Sequence, residues 1–229
     1  MTAVLEARTD TRRRRKAERP QEIIEAAFTE FSRNGYATTT LDQIAERAGV
    51  TKGTIYVYFE NKEHLFISMV REFTKATMDI VQDMFETHEG STADLLRAQF
   101  SFIYEHIVED RRRREVLRML IAEAPRFPEL ADRYHAEILR PCLDILKQAI
   151  ARGTDRGEFR KSSIINHPQV VIAPIALVDL WMMMFDDRQP LDMRAYFNAH
   201  LDLVLNGLSA KQQDPGPRTA ARSPQRRRN

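Results

Sequence analysis

The sequence is poor in cysteine, glycine and tryptophan, and it contains no long uninterrupted apolar run. Its single cysteine, Cys142, excludes an internal disulfide and a zinc site built on cysteines. The six histidines are scattered without the spacing of metal ligands, so the sequence predicts neither a metal nor a cofactor. The most apolar stretch, residues 170–185, is interrupted by Pro174 and Asp179 and is shorter than the roughly 18 residues of a membrane span. We therefore expect no membrane partner.

The scarcity of glycine, with 8 among 229 residues, accompanies a helical pattern. Apolar residues recur mainly three, four and seven positions apart, and no segment alternates convincingly as a strand would. The sequence therefore predicts an all-α fold. The arginines near the N-terminus precede no apolar block, which argues against a secretory signal and for a cytoplasmic protein. No phosphate loop, nucleophile elbow or paired acid and histidine supports an enzyme.

Charge is unevenly distributed along the chain, although the net charge is only +2. Residues 8–19 carry a net charge of +5, residues 211–229 carry another +5, and the remainder is acidic. A basic arm and a basic tail suggest contact with a polyanion at the two ends. For the tail, solvated disorder is the simpler interpretation, since its prolines and glycine oppose regular structure.

The first third of the chain reads as three short helices. The first is predicted to begin at Pro20, to bury Ile24, Phe28 and Phe31 on one face, and to end at Gly35. The segment from Thr40 to Gln43 has the spacing of a capping box, which predicts the start of a second helix.

Gly49 then turns the chain, and Thr51 can cap a third helix that ends at Phe59. Two short helices joined by such a turn form a helix-turn-helix. The outward-facing residues of the third helix are Thr51, Lys52, Thr54, Tyr56, Val57 and Tyr58. In a DNA major groove, tyrosine hydroxyls can donate to phosphates and a valine can touch a thymine methyl group. At Gly53 the missing side chain would let backbone amides approach a phosphate. The alternative is a small bundle in which Tyr56 and Tyr58 pack against the fourth helix.

Residues 23–66 resemble the DNA-binding domain of the TetR family along their whole length. The matching motifs are FxxxGYxxTT, IAxxAGV, TKGTIYxYF and NKExL, in this order. The resemblance implies a phosphate contact at Thr40, contacts to the DNA backbone at Thr51, Lys52 and Gly53, base reading at Thr54 and Val57, and phosphate contacts at Tyr56, Tyr58 and Lys62. It also implies that the arginines of the arm, Arg12, Arg13, Arg14 and Arg15, can enter a neighbouring minor groove.

The body of the chain reads as a series of longer helices, of which the one from about residue 129 to 152 should be bent by Pro141. The basic run 111–114 is interpreted as a solvated or inter-helix face. Residues 118–139 resemble a C-terminal domain from an efflux-linked branch of the same family. That resemblance implies a pocket for a small organic ligand, for which the candidates are Phe100, Tyr104, Tyr134, Asp179, Trp181 and Met182.

Each of these candidate pocket residues also has a simpler interpretation as ordinary core. Asp179 is the exception, because a buried acid needs a partner. The sequence offers His135 and Arg118 for that role, and a different rotation of the helix would place Asp179 in solvent instead.

The last two helices, about 168–185 and 193–206, are apolar on more than one side. This pattern predicts a helix shared with a second copy of the chain. The expected interface is a four-helix bundle that includes Leu177, Trp181, Phe197, Leu201 and Val204.

These observations predict four segments: a disordered basic arm (1–16), a DNA-binding domain (17–77), a helical ligand-binding and dimerisation domain (78–210) and a disordered basic tail (211–229). The predicted function is a transcriptional repressor that binds a palindromic operator in double-stranded DNA as a homodimer and is released by a small organic ligand. An activator or a protein-gated regulator of the same fold is the alternative. An all-helical interaction module without DNA binding is a more remote one.

Overall fold

The computed structural model describes residues 2–106, 110–185 and 188–210, with side chains from residue 18 onward. Within these ranges all the secondary-structure elements are helices, which confirms the all-α prediction. The α-helices are α1 (Thr2–Asn34), α2 (Leu41–Arg47), α3 (Lys52–Tyr58), α4 (Lys62–Thr87), α5 (Thr92–His106), α6 (Arg111–Glu123), α7 (Pro128–Tyr134), α8 (Arg140–Asp155), α9 (Gln169–Phe185) and α10 (Met193–Leu208). None of the helices in the described part of the chain is long and apolar enough to cross a membrane.

Local capping signals set the boundaries of the short helices in the predicted DNA-binding region, residues 18–61, which we call the head. The Thr40 hydroxyl accepts a hydrogen bond from the Gln43 amide, and the Gln43 side chain accepts one from the Thr40 amide, which completes the predicted capping box. The side chains of Thr51 and Asn61 cap α3 and α4 in the same way. Gly35 and Gly49 both have positive φ, 78° and 63°, as the turns after α1 and α2 require.

The first helix begins earlier than the sequence predicts. Its backbone is helical from Thr2, and Pro20 lies inside the helix instead of at its start. The residues before Pro20 are mostly arginine, lysine, alanine and glutamate, which are strong helix formers. Their propensity carries the helix through the proline, so the structure differs from the predicted disordered arm at 1–16. The side chains of Arg12, Arg13, Arg14 and Arg15, like the tail 211–229, lie outside the described residues.

Two hydrophobic clusters organise the fold. The first, the head core, contains the buried faces of α1, α2, α3 and the first part of α4. It also contains Val116, Met119 and Leu120 of α6 and Leu130 of α7. The second, the body core, joins α5, α8, α9 and α10. Helix α4 takes part in both, because Phe66 and Val70 lie in the head core while Met84 and Phe85 pack against the body core. The head is therefore packed against α6 and α7, and one continuous helix runs from it into the body.

The helical path from Pro128 to Asp155 is not one regular α-helix, because it departs from α-helical geometry just before Pro141. A π-helical turn over His135–Leu139 connects α7 to α8. Proline has no amide hydrogen for the helical ladder, and widening the preceding turn accommodates that loss.

Candidate DNA-binding face and body cavity

The predicted DNA-reading helix α3 presents an exposed aromatic and apolar face. Ile55 is fully buried and Phe59 is 5% exposed, so these two side chains anchor α3 in the head core as predicted. On the other side Tyr56 is 52% exposed and Val57 is 71% exposed. Tyr58 is half-buried and packs against the head core, so the two tyrosines have different surroundings. The exposed pair supports a DNA contact, whereas Tyr58 has an intramolecular role as well.

The first turn of α3 is ordered by two threonines. The Thr51 hydroxyl accepts a hydrogen bond from the Thr54 amide at 3.2 Å, and the two hydroxyl oxygens are 3.0 Å apart. A Cβ at Gly53 would meet only the Thr51 hydroxyl, at 3.7 Å, which is an ordinary contact. Packing within the described part of the chain therefore does not require glycine at this position, and the open space there suits the approach of a phosphate.

Lys52 and Thr40 lie beside this helix and are both exposed. The Lys52 ammonium donates to the Asp42 carboxylate at 2.8 Å, and this hydrogen bond raises the pKa of the lysine. An exposed ion pair contributes little free energy, so the lysine can exchange Asp42 for a phosphate at small cost. The Thr40 hydroxyl lies 3.0 Å from the Gln43 side-chain oxygen.

Lys62 is bound to backbone carbonyls of the head in this structure. Its ammonium donates to the backbone carbonyls of Tyr36 at 2.8 Å, Ala37 at 3.2 Å and Thr39 at 3.0 Å, and it lies over the Tyr36 ring. Burial lowers the pKa of this lysine. An ammonium group has three donors, and all three are used here. In this conformation no donor is left for a phosphate, which conflicts with the direct contact predicted for Lys62.

Within the body, α4, α5, α8 and α9 surround a small apolar cavity of about 60 Å³. It is lined by Met78, Val81, Leu96, Gln99, Phe100, Ile103, Cys142, Ile145, Leu146 and Ile172. The Gln99 amide is nearly fully buried and donates to the Val81 carbonyl at 3.0 Å. Burial raises the pKa of the Cys142 thiol to about 11, so the thiol is neutral and behaves as part of the apolar wall. Sites for drug-sized molecules are several times larger, so such a ligand would have to move the lining helices apart.

The predicted pocket residues do not line one common pocket. Phe100 lines the apolar cavity, whereas Tyr104 lines an open groove of about 460 Å³ between α5 and the start of α10. Tyr134 packs against the head core. Trp181 and Met182 line neither the cavity nor the groove, and the Trp181 indole donates to the Gln189 carbonyl. Helical spacing shows that residues share a face, but it does not show which neighbour the face meets.

Tyr104 belongs to a buried polar chain. The His200 Nε2–H donates to the Val171 carbonyl at 2.8 Å, which leaves Nδ1 to accept from the Tyr104 hydroxyl at 2.9 Å. Burial lowers the pKa of His200, so this imidazole is held neutral. These two hydrogen bonds link α5, α9 and α10.

Two family models match the sequence. The model described as "Bacterial regulatory proteins, tetR family" matches residues 23–69, and the model described as "Tetracyclin repressor-like, C-terminal domain" matches residues 86–204. The second match alone spans more than half of the chain.

The chain belongs to the TetR family.

Curated relatives and solved structures of TetR-family regulators agree with this assignment. The fatty acid metabolism regulator protein of Bacillus subtilis (strain 168) is 29% identical over 201 residues, which cover 86% of this chain and 100% of the relative. FadR from Bacillus subtilis in complex with stearoyl-CoA has 26% identity and a TM-score of 0.63, covering 82% of this chain and 98% of that one. The complex of SmeT, the Stenotrophomonas maltophilia efflux repressor, with triclosan has 25% identity and a TM-score of 0.69, covering 83% and 91%. This TetR-family chain is a DNA-binding transcriptional regulator and not an enzyme.

In this TetR-family body, Asp179 has a partner that the sequence did not suggest. The carboxylate is 2% exposed and is bonded by the Arg113 guanidinium, not by His135 or Arg118. Burial raises the pKa of Asp179, and the positive charge of Arg113 opposes this effect. The neighbouring Arg112 bonds Glu25 of the head. The basic run 111–114 is therefore an inter-helix face, as one of its two interpretations held.

The surface expected to form the TetR dimer requires correction. Leu201 is 4% exposed and Val204 is 8% exposed, because both lie in the body core of the single chain. Phe197 and Trp181 are half-buried, and Leu177 is 50% exposed. The exposed apolar side chains of α9 and α10 are the remaining candidates for such an interface, and we call this set the apolar dimer face: Val170, Leu177, Leu180, Met184 and Leu203.

Among the described residues no group of three or more histidine, cysteine or acidic side chains is placed to hold a metal ion.

Proposed function

We propose that this regulator is a repressor that binds a palindromic operator as a homodimer and leaves it when a small apolar ligand enters the body. The observation that carries the proposal is the path of α4. This helix starts at Lys62, directly after the head, packs in the head core at Phe66, and forms part of the cavity wall at Met78 and Val81. A ligand that widens the cavity must displace α4, and α4 would transmit the displacement to the head.

The operator is contacted by the exposed face of α3, with Tyr56 on phosphate and Thr54 and Val57 toward the bases. The exposure of Tyr56 and Val57 supports this assignment, since two such side chains on a solvated helix need a partner. Lys62 acts indirectly. By binding the carbonyls of residues 36, 37 and 39 it holds the loop that places Thr40 against the DNA backbone.

Dimerisation uses the apolar dimer face. Its five large apolar side chains would otherwise remain in water, and burying apolar surface is the main driving force for association. Two heads at a fixed separation would select a palindromic site with matching half-site spacing.

The ligand is expected to be apolar, because the lining of the cavity is almost entirely hydrocarbon and thioether. Two solved relatives support the same class, since they are complexes with stearoyl-CoA and with triclosan. Binding of ligand and DNA must then oppose each other reciprocally, because the coupling free energy is shared between the two sites.

DNase footprinting on the DNA that flanks the gene tests the proposal. We expect protection of two symmetric half-sites, and we expect an apolar ligand to abolish it. Protection of a single half-site would contradict the dimer, and protection that persists with ligand bound would contradict release. The absence of any protected site would contradict DNA binding through this head.

A further inference from the structure

The faces of α4, α5 and α8 that line the cavity continue, beyond the cavity itself, toward the end of the body that is distant from the head. On each helix the residues are three or four positions apart and therefore share one side. They are Met78, Val81 and Phe85 on α4, Thr92, Leu96, Gln99 and Ile103 on α5, and Cys142, Ile145, Ala149 and Arg152 on α8. We call this set the body seam. Apart from Gln99 and Thr92, its side chains are apolar until it reaches the charged Arg152.

The distant end of the body seam contains a positive charge whose donors are not all satisfied. The Arg152 Nη1 donates to the Phe85 carbonyl at 3.1 Å, and the guanidinium lies 5.0 Å from the Phe85 ring centroid. Its Nε and Nη2 atoms are buried and have no hydrogen-bond partner among the described residues. The hydroxyl of Thr92, a fully buried residue, also lacks a partner within the described part of the chain. The Thr92 amide bonds Glu158, which places Thr92 near the end of α8.

These unpaired donors call for an anion. A guanidinium remains protonated at every pH at which the protein is folded, so burial cannot remove its charge. No carboxylate among the described residues forms an ion pair with Arg152, although five other arginines of the body do have such partners. A planar pair of N–H donors matches the oxygens of a carboxylate or phosphate.

We propose that the cavity and Arg152 form one elongated site for an amphiphile with an apolar chain and an anionic head. The chain lies in the cavity, and the head is bound by the Nε and Nη2 atoms of Arg152. The Thr92 hydroxyl lies at the same end as a further donor. This inference rests on the proposed function, because it specifies the ligand that the body binds.

The dimensions of the body seam suit such a molecule. Cys142 and Arg152 are ten residues apart on α8, which corresponds to about 15 Å along the helix. Ala149 lies between the cavity and Arg152, and its small side chain leaves the least material for a ligand chain to displace. Met78 on the opposite wall is unbranched and can change rotamer to admit the chain.

Calorimetric titration of the full-length protein without DNA tests the inference. The probes are dodecanoate, dodecyl phosphate and 1-dodecanol, each below its micellar concentration. We expect at least one anionic probe to bind about tenfold or more tightly than the alcohol, which corresponds to about 1.4 kcal/mol. A preference for dodecanoate over dodecyl phosphate assigns a carboxylate head, and the reverse assigns a phosphate. Equal binding of the alcohol, or no binding of either anion, would overturn the proposal.

Variants locate the head group. Arg152→Gln should abolish the preference for the anion over the alcohol, whereas Arg152→Lys should retain part of it. Arg156→Gln is the matched control. Arg156 directly follows the end of α8, but its side chain is exposed and pairs with Glu158. An unchanged preference in Arg152→Gln would overturn the assignment of Arg152. If Arg152→Gln fails to fold, Arg152→Lys decides the point. A reduced preference for the anion in Arg152→Lys supports the assignment of Arg152, and an unchanged preference overturns it.

Operator binding, measured separately on the same protein, distinguishes this inference from the proposed function. If the operator is bound and released by some other apolar compound while both anions fail to bind, only the assignment of an anionic ligand is wrong. If the protein binds no operator, the proposed function fails whatever the calorimetry shows.

Discussion

Arg113 of α6 and Asp179 of α9 form an ion pair that joins two helices of the body. The carboxylate is 2% exposed and the guanidinium side chain is 21% exposed. The adjacent Arg112 bonds Glu25 of α1 and lies over the ring of Phe28. Two consecutive residues at the start of α6 therefore hold a helix of the apolar dimer face on one side and the DNA-binding head on the other.

Breaking this buried pair should be costly. Asp179→Ala leaves the charge of Arg113 without its partner, and we expect the free energy of unfolding to fall by about 3–5 kcal/mol. Urea unfolding measures the change. The control is Glu115→Ala, which breaks the more exposed pair between Glu115 and Arg118 and should cost about 1 kcal/mol or less. Equal losses in the two variants would show that the Arg113–Asp179 pair is not buried as described.

The buried imidazole of His200 should make stability depend on pH. Its folded pKa is lowered from the ordinary value of 6.5 by burial, so below that value the unfolded chain binds more protons than the folded one. Stability should therefore fall as the pH drops through about 6.5. Urea unfolding at about pH 7.5 and about pH 5.5 measures this effect, and His200→Gln should show a smaller difference between the two. A wild-type stability that rises at the lower pH would contradict the neutral state of His200.

The sequence predicted those features whose signals are local. The capping box at Thr40 and the cap at Thr51 each depend on residues within one helical turn, and both are present. The glycine turns at Gly35 and Gly49 follow from the same kind of signal. The extent of α1 was wrong because the propensity of the residues before Pro20 outweighs the proline.

Features that depend on helix rotation could not be read from the sequence. Leu201 and Leu203 lie on one apolar helix, yet the first is in the body core and the second is 69% exposed. The pairing of Asp179 with Arg113 depends on how α6 crosses α9, which no short-range pattern specifies. The unpaired donors of Arg152 gave no sequence signal, because an arginine in the last turn of a helix is ordinarily solvated.

This difference between two leucines provides a test of the dimer. Leu203→Glu places a charge on the apolar dimer face and should yield a folded monomer with weakened operator binding. Leu201→Glu places a charge in the body core and should instead unfold the domain, because a buried unpaired carboxylate is strongly unfavourable. Analytical ultracentrifugation gives the oligomeric state, and circular dichroism gives the folded fraction. A Leu203→Glu variant that remains fully dimeric would exclude this position from the interface.

The basic arm should contribute affinity for DNA but little sequence preference. Each phosphate neutralised adds about 0.9 to the slope of log K against log salt concentration. Deleting residues 1–16 should therefore flatten this slope by a few units at most, while the ratio of operator to random-sequence affinity is retained. Fluorescence anisotropy at several salt concentrations provides the slope. A slope unchanged by the deletion would mean that the arm does not contact phosphate in the complex.

The central claim, that the exposed face of α3 reads the operator, is tested most directly by titrating operator and random-sequence DNA with two variants of that face. Tyr56→Phe removes one hydrogen bond to a charged phosphate and should weaken binding to both DNAs alike, by about 1–2 kcal/mol. Thr54→Ala should lower the affinity for the operator more than the affinity for random DNA. The difference between the two losses should be about 1 kcal/mol. The matched control, Tyr196→Phe, changes a tyrosine of the body and should leave both affinities unchanged. If the Tyr56 and Thr54 variants both bind the operator and random DNA as the wild type does, α3 is not the helix that reads DNA.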